Sequence, residues 1–218
     1  AQLRALAERW AEAGFDTFKL KAGLAGDVAQ VATVREVVGP QARLRVDANA
    51  AWSVGVAIER LGAMARYSLE LAEQPVGGLE RMAEVRRASR VRIAADEDIV
   101  TRRDARRAYE LRACELANVK LAKVGGIAAT IEIAAEIPTY LSSALEGPVG
   151  IAASAHTVQA LPLRGTAAEP AHGLATERLF SASIGEGLTS DGDLLLLEEK
   201  PGLGVELDDA ALAARRLA

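Results

Sequence analysis

Five residues that could carry acid–base chemistry or bind a metal stand at the ends of short apolar segments. They are two lysines and three carboxylates, and they recur every 23 to 26 positions: Lys21, Asp47, Glu73, Asp96 and Lys120. A strand-plus-helix unit of a parallel barrel has a similar length, and the C-terminal strand ends of such a barrel converge on one pocket. The spacing therefore predicts an enzyme whose metal site has a lysine on each flank.

The three carboxylates decide which metal this pocket suits. Three negative charges in one pocket repel each other unless a cation lies between them, and ligation by oxygen alone favours Mg²⁺ over zinc. The chain has only two histidines, His156 and His172, and neither stands at a clear strand end. We therefore expect Mg²⁺ as the cofactor, with Mn²⁺ as the alternative.

A further lysine, Lys19, precedes Lys21 by two positions on the same predicted strand, so the side chains of Lys19 and Lys21 point the same way. A lysine with an ordinary pKa near 10.4 is a poor base, and its pKa must fall to roughly 7–8 for proton abstraction. A neighbouring lysine and a divalent cation both disfavour the ammonium form, so we expect a lowered lysine pKa. A metal next to a lysine base suits proton removal beside a carboxylate, because the cation stabilises the enediolate that develops.

Composition excludes several other classes. The 218 residues carry a net charge of −4, which provides no basic surface for nucleic acid. Cys114 is the only cysteine, so an internal disulfide is impossible and a reducing compartment such as the cytoplasm fits. No apolar run reaches the length of a membrane span, and the first residues lack the apolar core of a signal peptide.

The apolar pattern predicts seven strands, the last of them weak, with helices between them. The predicted strands are residues 15–21, 43–47, 69–73, 91–96, 115–120, 138–143 and 171–174. Thr101 and Asp104 resemble a capping box at the start of one helix. A closed barrel needs eight strands, so we expect the first strand upstream of Ala1. We assign residues 1–189 to the barrel domain and 190–218 to an extension that packs outside the barrel or on a capping domain.

Several motifs resemble those of the muconate cycloisomerase subgroup of the enolase superfamily. They are Phe-Lys-Leu-Lys at 18–21, Asp-Ala-Asn-Ala-Ala-Trp at 47–52, Glu-Gln-Pro at 73–75, Ala-Ala-Asp-Glu at 94–97, Asn-Val-Lys at 118–120 and Gly-Gly at 125–126. Ser-Ser-Ala-Leu-Glu at 142–146 and Val-Gly-Ile-Ala-Ala at 149–153 are most similar to the o-succinylbenzoate synthases of the actinobacterial type. The resemblance extends from residue 1 to about residue 180.

The resemblance implies an α/β fold, a TIM-type (β/α)7β barrel, and a role for each matching residue. Mg²⁺ would be held by Asp47, Glu73 and Asp96. Lys21 would be the acid/base, Lys19 its electrostatic neighbour and Lys120 the opposing lysine. Asn49 and Glu97 would support the metal ligands from behind, and Ser142 and Ser143 would face the far end of the substrate.

The resemblance also implies a part that these 218 residues do not contain. The family has an N-terminal capping domain that closes the pocket and helps to select the substrate. We expect this domain and the first barrel strand to come from the same chain or from a partner. The 218 residues alone should then be aggregation-prone or weakly active; the oligomeric state stays open.

Three functions compete. The first is Mg²⁺-dependent dehydration of 2-succinyl-6-hydroxy-2,4-cyclohexadiene-1-carboxylate to o-succinylbenzoate in menaquinone biosynthesis. The second is an N-acylamino acid racemase or dipeptide epimerase, which would use both lysines as acid and base. The third is a barrel scaffold without catalysis, which should have lost a ligand or a lysine, and none is lost. A small carboxylate is the expected substrate of either enzyme.

Overall fold

The computed structural model describes residues 2–162 and 170–215 of the chain. It divides into two compact units. The first comprises residues 1–118 and 136–138, and the second comprises residues 119–135 and 139–218.

The strands that carry the predicted site residues belong to one sheet with the hydrogen-bonded order β1-β2-β3-β4-β5-β6. Their bounds are β1 Thr17–Lys21, β2 Arg43–Asp47, β3 Leu69–Glu73, β4 Ile93–Ala95, β5 Leu116–Val119 and β6 Thr139–Leu141. The pairs from β1 to β5 are parallel. Parallel neighbours need a crossover connection, and a helix provides it after each of these strands.

Nine α-helices lie within the described residues. They are α1 Gln2–Glu12, α2 Asp27–Val38, α3 Val54–Met64, α4 Leu79–Ala88, α5 Arg102–Leu111, α6 Leu121–Val124, α7 Ile127–Glu136, α8 Pro148–Gln159 and α9 Asp209–Ala214. Short 3-10 helices cover Ala65–Tyr67 and Ala175–Leu179. No helix in this part of the chain is both long enough and apolar enough to span a membrane.

In the first unit, consecutive helices from α1 to α5 pack against one another. They bury apolar residues at helical spacing, such as Leu61 and Met64 on α3 and Met82 and Val85 on α4. The predicted capping box at the start of α5 is confirmed, because the Thr101 and Asp104 side chains each accept a hydrogen bond from the other residue's backbone N–H. A buried helix face on one side of a parallel sheet holds the strand ends in fixed positions.

In the second unit, four short strands follow β6: β7 Gly185–Glu186, β8 Thr189–Asp191, β9 Leu194–Leu196 and β10 Glu206–Leu207. They form two antiparallel pairs, β7 with β10 and β8 with β9. Leu195 and Leu197 pack on a buried cluster that contains Ile151 of α8. The assignment of residues 190–218 to an extension, of which 216–218 lie outside the described residues, stays a prediction.

The predicted seventh strand is not formed as a strand. Residues 171–174 contribute a single parallel bridge, between Gly173 and Ser142. The Gly173 N–H donates to the Leu141 carbonyl, and the Ser143 N–H donates to the Gly173 carbonyl. This segment therefore pairs with the end of β6 in parallel at one position only. The apolar pattern located the segment but predicted too long a strand.

Candidate active site

The register of the first unit aligns three of the predicted site residues in one row. Lys21 at the end of β1 pairs with Asp47 at the end of β2, and Asp47 pairs with Glu73 at the end of β3. The next position in the row is Ala94 on β4, so Asp96 lies two residues further along its strand direction. The sheet is staggered, as the strands of a closed barrel must be.

Lysines from β1 neutralise the carboxylates of β2 and β3. Lys19 Nζ lies 3.1 Å from Asp47 Oδ2 and 3.0 Å from Glu73 Oε1. Lys21 Nζ lies 2.8 Å from the same oxygen of Asp47. The prediction that both lysines point the same way is confirmed, because both ammonium groups reach one carboxylate oxygen.

Glu73 is also contacted from the opposite direction. Asn118 on β5 donates from Nδ2 to Glu73 Oε1 at 2.9 Å. Glu73 therefore receives hydrogen bonds from β1 and from β5, each two strands away in the sheet order. The Glu73 side chain is 0% exposed, and these hydrogen bonds offset the free-energy cost of burying its charge.

The lysines and the carboxylates of this row stabilise each other's charged forms. Burial alone would raise the pKa of Asp47, but the charges and hydrogen bonds of Lys19 and Lys21 outweigh burial and lower that pKa below its ordinary value. Burial alone would lower the pKa of Lys19, but Glu73 and Asp47 outweigh it and raise that pKa.

The expectation of a lowered pKa for the lysine that acts as base stays a prediction. That expectation counted a second lysine and a cation as neighbours. Around Lys19 itself, two buried carboxylates lie 3.1 Å and 3.0 Å from the ammonium, and they stabilise its charged form. Lys19 is therefore an electrostatic partner of the carboxylates. Lys21, with a side chain that is 68% exposed, has the more open position for reaction.

The loops that follow the strand ends link the row to its supports. Lys21 Nζ donates to Asn49 Oδ1 at 2.6 Å, and Asn49 Nδ2 donates to Glu97 Oε1 at 2.9 Å. The Asn49 backbone N–H donates to Asp47 Oδ1 at 3.0 Å. Asn49 has a φ of 45°, an uncommon conformation for a residue with a side chain and one that often marks functional loops. Asn49 thus links Lys21, Asp47 and Glu97 by hydrogen bonds, and the supporting role of Asn49 and Glu97 stays a prediction.

Gln74 is a site residue that the sequence did not single out beyond its motif. It is fully buried, has a φ of 37°, and directly follows Glu73. Its side-chain oxygen accepts from the backbone N–H of Asp96 at 2.8 Å, and its side-chain nitrogen donates to Asp98 Oδ2 at 2.7 Å. The signal in the sequence was a glutamine between a predicted metal ligand, Glu73, and Pro75. Its hydrogen-bond partners depend on the tertiary structure.

Two of the three predicted carboxylate ligands are arranged as a divalent cation requires. Asp47 and Glu73 are buried and already share one positive charge, that of Lys19, at about 3 Å from each. Asp96 is also buried, but among the described residues no group of three histidine, cysteine, aspartate or glutamate side chains is arranged to hold a metal ion. The structure thus brings two of the three predicted ligands to one cation position, and the stagger of β4 places the third further along.

The remaining predicted residues lie in the second unit. Lys120 directly follows β5 and precedes α6, and its carbonyl accepts hydrogen bonds from the backbone N–H groups of Lys123 and Val124. Ser142 is buried, and its hydroxyl finds no hydrogen-bond partner in the part of the chain that the structure describes. The Ser143 hydroxyl donates to Glu146 Oε2 at 2.5 Å and accepts from the Glu146 N–H at 3.0 Å, so it closes the turn after β6. Their catalytic and substrate-binding roles stay predictions.

Comparison with known proteins decides the family. The model of the family described as Enolase C-terminal domain-like matches residues 2–211. The chain belongs to this family. The predicted resemblance to the enolase superfamily is therefore confirmed, and the parallel sheet described above is part of the family's C-terminal barrel domain.

Within and around this family, one curated relative and two solved structures are informative. The o-succinylbenzoate synthase of Thermobifida fusca (strain YX) is 37% identical over 218 residues, covering 94% of this chain and 68% of the relative. A dipeptide epimerase from Cytophaga hutchinsonii, solved with Mg and the dipeptide D-Ala-L-Val, has a TM-score of 0.88 at 30% identity, covering 97% of this chain and 59% of that one. A muconate cycloisomerase from Pseudomonas fluorescens has the same TM-score and identity, with 97% and 61% covered. The chain thus spans between about three fifths and two thirds of the length of these proteins.

Proposed function

We propose that this protein is a Mg²⁺-dependent lyase of the o-succinylbenzoate synthase type. It would dehydrate 2-succinyl-6-hydroxy-2,4-cyclohexadiene-1-carboxylate to o-succinylbenzoate, a step of menaquinone biosynthesis. The observation that carries the proposal is the convergence of Lys19 and Lys21 on the buried carboxylate of Asp47, which Lys19 also links to Glu73, with the Lys21 side chain largely exposed. The 37% identity to a synthase supports this activity over the epimerase, to which the identity is 30%.

The residues of the row would divide the work between them. Lys21, exposed beside Asp47, would take the proton from the carbon next to the substrate carboxylate and then give it to the hydroxyl on the neighbouring carbon, which leaves as water while the double bond forms. Lys19 stays charged between Asp47 and Glu73 and would balance the negative charge that develops during proton removal. Asn49 accepts a hydrogen bond from Lys21 and so orients its amine at the edge of the row.

Asp47, Glu73 and Asp96 would hold Mg²⁺, as the resemblance implies. Bound there, Mg²⁺ would polarise the substrate carboxylate and make the neighbouring proton acidic. Two of these carboxylates already share a cation position with Lys19, and carboxylate oxygens are the donors that Mg²⁺ prefers. The dipeptide epimerase that was solved with Mg supports Mg²⁺ as the cofactor.

A racemase or epimerase activity is the second candidate, and the close structural match to a dipeptide epimerase favours it. Such chemistry exchanges a proton on both faces of one carbon, so both Lys21 and Lys120 would be needed as acid and base. Dehydration needs a single lysine to move the proton, and Lys120 would then only stabilise charge. The two activities therefore predict different behaviour of a lysine variant.

The deciding experiment uses the protein together with the expected capping domain and first strand, and offers it three substrates in parallel with Mg²⁺: the cyclohexadiene carboxylate, an N-acylamino acid and a dipeptide. We expect turnover of the first to exceed that of the other two. Faster racemisation of the second or third, lost in both Lys21→Ala and Lys120→Ala, would establish the alternative instead. Mg²⁺ binding without turnover of any of the three would favour a scaffold.

A further inference from the structure

Gln74 contacts several parts of the candidate site through its main chain and its side chain. Its backbone N–H donates to the Ala94 carbonyl of β4 at 2.8 Å, and its carbonyl accepts from the Ala50 N–H at 2.7 Å. Ala50 belongs to the loop after Asp47, and Ala94 precedes Asp96 by two positions. Gln74, directly after β3, therefore ties the loop that follows β2 to strand β4 through its main chain alone.

The amide group of Gln74 adds a second set of contacts that only an amide can make. Its oxygen Oε1 accepts from the Asp96 N–H at 2.8 Å, and its nitrogen Nε2 donates to the Val76 carbonyl at 2.9 Å and to Asp98 Oδ2 at 2.7 Å. The partners fix which amide atom is which, because the Asp96 N–H must donate and the Val76 carbonyl must accept. A carboxylate at position 74 could not donate to Val76, and an apolar side chain could satisfy none of the three.

Asp98 extends this network to the start of α4. The same oxygen that accepts from Gln74 also accepts from the backbone N–H of Gly78 at 2.7 Å. Gly78 is the residue that precedes α4. The Gln74–Asp98 pair thus connects the turn that carries Asp96 to the turn that begins α4.

We propose that Gln74 is a positioning residue, whose side chain sets the peptide that carries Asp96 and so determines where this third carboxylate stands relative to Asp47 and Glu73. The proposal rests on the assignment of these three as Mg²⁺ ligands. The stagger of β4 leaves Asp96 two residues beyond the row and one residue beyond Ala95, the last paired residue of β4, so its position depends on the turn as well as on the strand pairing. Gln74 is a buried side chain that holds this turn by its backbone.

The strained backbone supports a role for the side chain. Gln74 has a φ of 37°, a conformation that favours glycine, yet glutamine occupies it. If position 74 only had to allow this turn, glycine would serve better. The three contacts of the amide are what glycine cannot provide.

The test compares the Mg²⁺ dissociation constants of the wild type and two variants by titration calorimetry. Gln74→Met keeps the length of the side chain but removes its hydrogen bonds, and Gln74→Gly relieves the backbone while deleting the side chain. We expect each variant to bind Mg²⁺ at least about 10-fold more weakly, the usual loss when a group that orients a metal ligand is removed. Met82→Ala, which opens a buried site on α4, is the control for lost stability.

The outcomes separate this proposal from the proposed function. Weakened binding in both Gln74 variants, with Met82→Ala within twofold of the wild type at a comparable loss of melting temperature, supports the positioning role. Wild-type affinity in either Gln74 variant, or an equal loss in Met82→Ala, overturns it while leaving the proposed function intact. Absence of Mg²⁺ binding in the wild type overturns both.

Discussion

Lys19 on β1 donates to Glu73 on β3 across the intervening strand β2. The Lys19 Nζ lies 3.0 Å from Glu73 Oε1, while the same ammonium contacts Asp47 of β2 at 3.1 Å. One cation thus serves two buried carboxylates on successive strands. The two lysines therefore differ in their surroundings. Lys19 is held by two carboxylates, whereas Lys21 contacts Asp47 and keeps a largely exposed side chain.

Replacing Lys21 should remove catalysis while sparing the cation site. We expect Lys21→Ala to lower kcat by roughly 10²–10⁴-fold, the usual contribution of a general base. Mg²⁺ binding should persist or tighten, because the variant removes a positive charge that lies 2.8 Å from Asp47. Steady-state kinetics and Mg²⁺ calorimetry on the same preparation measure both.

Lys200→Ala is the matched control for this experiment, since Lys200 is an exposed lysine that pairs with Glu198 in the second unit. It should leave both quantities unchanged. Retention of a tenth of the wild-type rate by Lys21→Ala would show that Lys21 is not the base.

Removing the Asp47 carboxylate should abolish stabilisation by Mg²⁺. A ligand that binds only the folded state raises the melting temperature, and the rise depends on its affinity. We expect saturating Mg²⁺ to raise the melting temperature of the wild type but not that of Asp47→Asn, as measured by differential scanning calorimetry.

Asp16→Asn is the control, because Asp16 precedes β1 at its other end, where it pairs with Arg43 at 2.8 Å. This variant should keep the full response to Mg²⁺. An equal response in Asp47→Asn and wild type would exclude Asp47 as a ligand.

The capping box of α5 should contribute a pH-dependent stability. Partial burial would raise the pKa of Asp104, but hydrogen bonds from Thr101 and Val100 and the charge of Arg103 outweigh burial and lower that pKa. A carboxylate with a lowered pKa in the folded state stabilises the fold above its unfolded pKa of about 3.9, and the contribution disappears as the pH falls through the folded value.

We therefore expect Asp104→Ala to lower the free energy of unfolding by about 1 kcal/mol at pH 7, the usual value of a cap, and by less below pH 3. Urea denaturation at both pH values measures the difference. Glu132→Ala, an exposed carboxylate within α7, should change stability by less than about 0.5 kcal/mol at pH 7. A cost of Asp104→Ala that is equal at both pH values would contradict the assignment.

The thiol of Cys114 should be inert in the folded protein. Burial raises the pKa of Cys114 to about 12, so the reactive thiolate is scarce at neutral pH. We expect a thiol reagent at pH 8 to modify Cys114 only after denaturant is added. Because Cys114 is the only cysteine, one colorimetric readout reports the reaction without ambiguity. Rapid modification in the native state would show that this part of the first unit opens.

Local sequence patterns were sufficient for the main elements of the site. Short apolar segments with a polar residue at the end predicted β1 to β6 in order, because burial and alternation act within a few residues. The same patterns predicted that Lys19 and Lys21 share one face, and the structure confirms it through their common contact with Asp47. The chemistry of carboxylates and lysines also follows from residue type alone.

Tertiary structure decided how these residues meet. The register places Lys21, Asp47 and Glu73 in one row but sets Asp96 two residues further, and the sequence contains no local signal for such a stagger. The direction of the Lys19 pKa depends on two carboxylates from other strands. The amide of Gln74 finds partners up to 24 positions away, which no window of sequence could pair. Strand register, side-chain partners and pKa values result from contacts between distant segments, so they are determined only when the chain is folded.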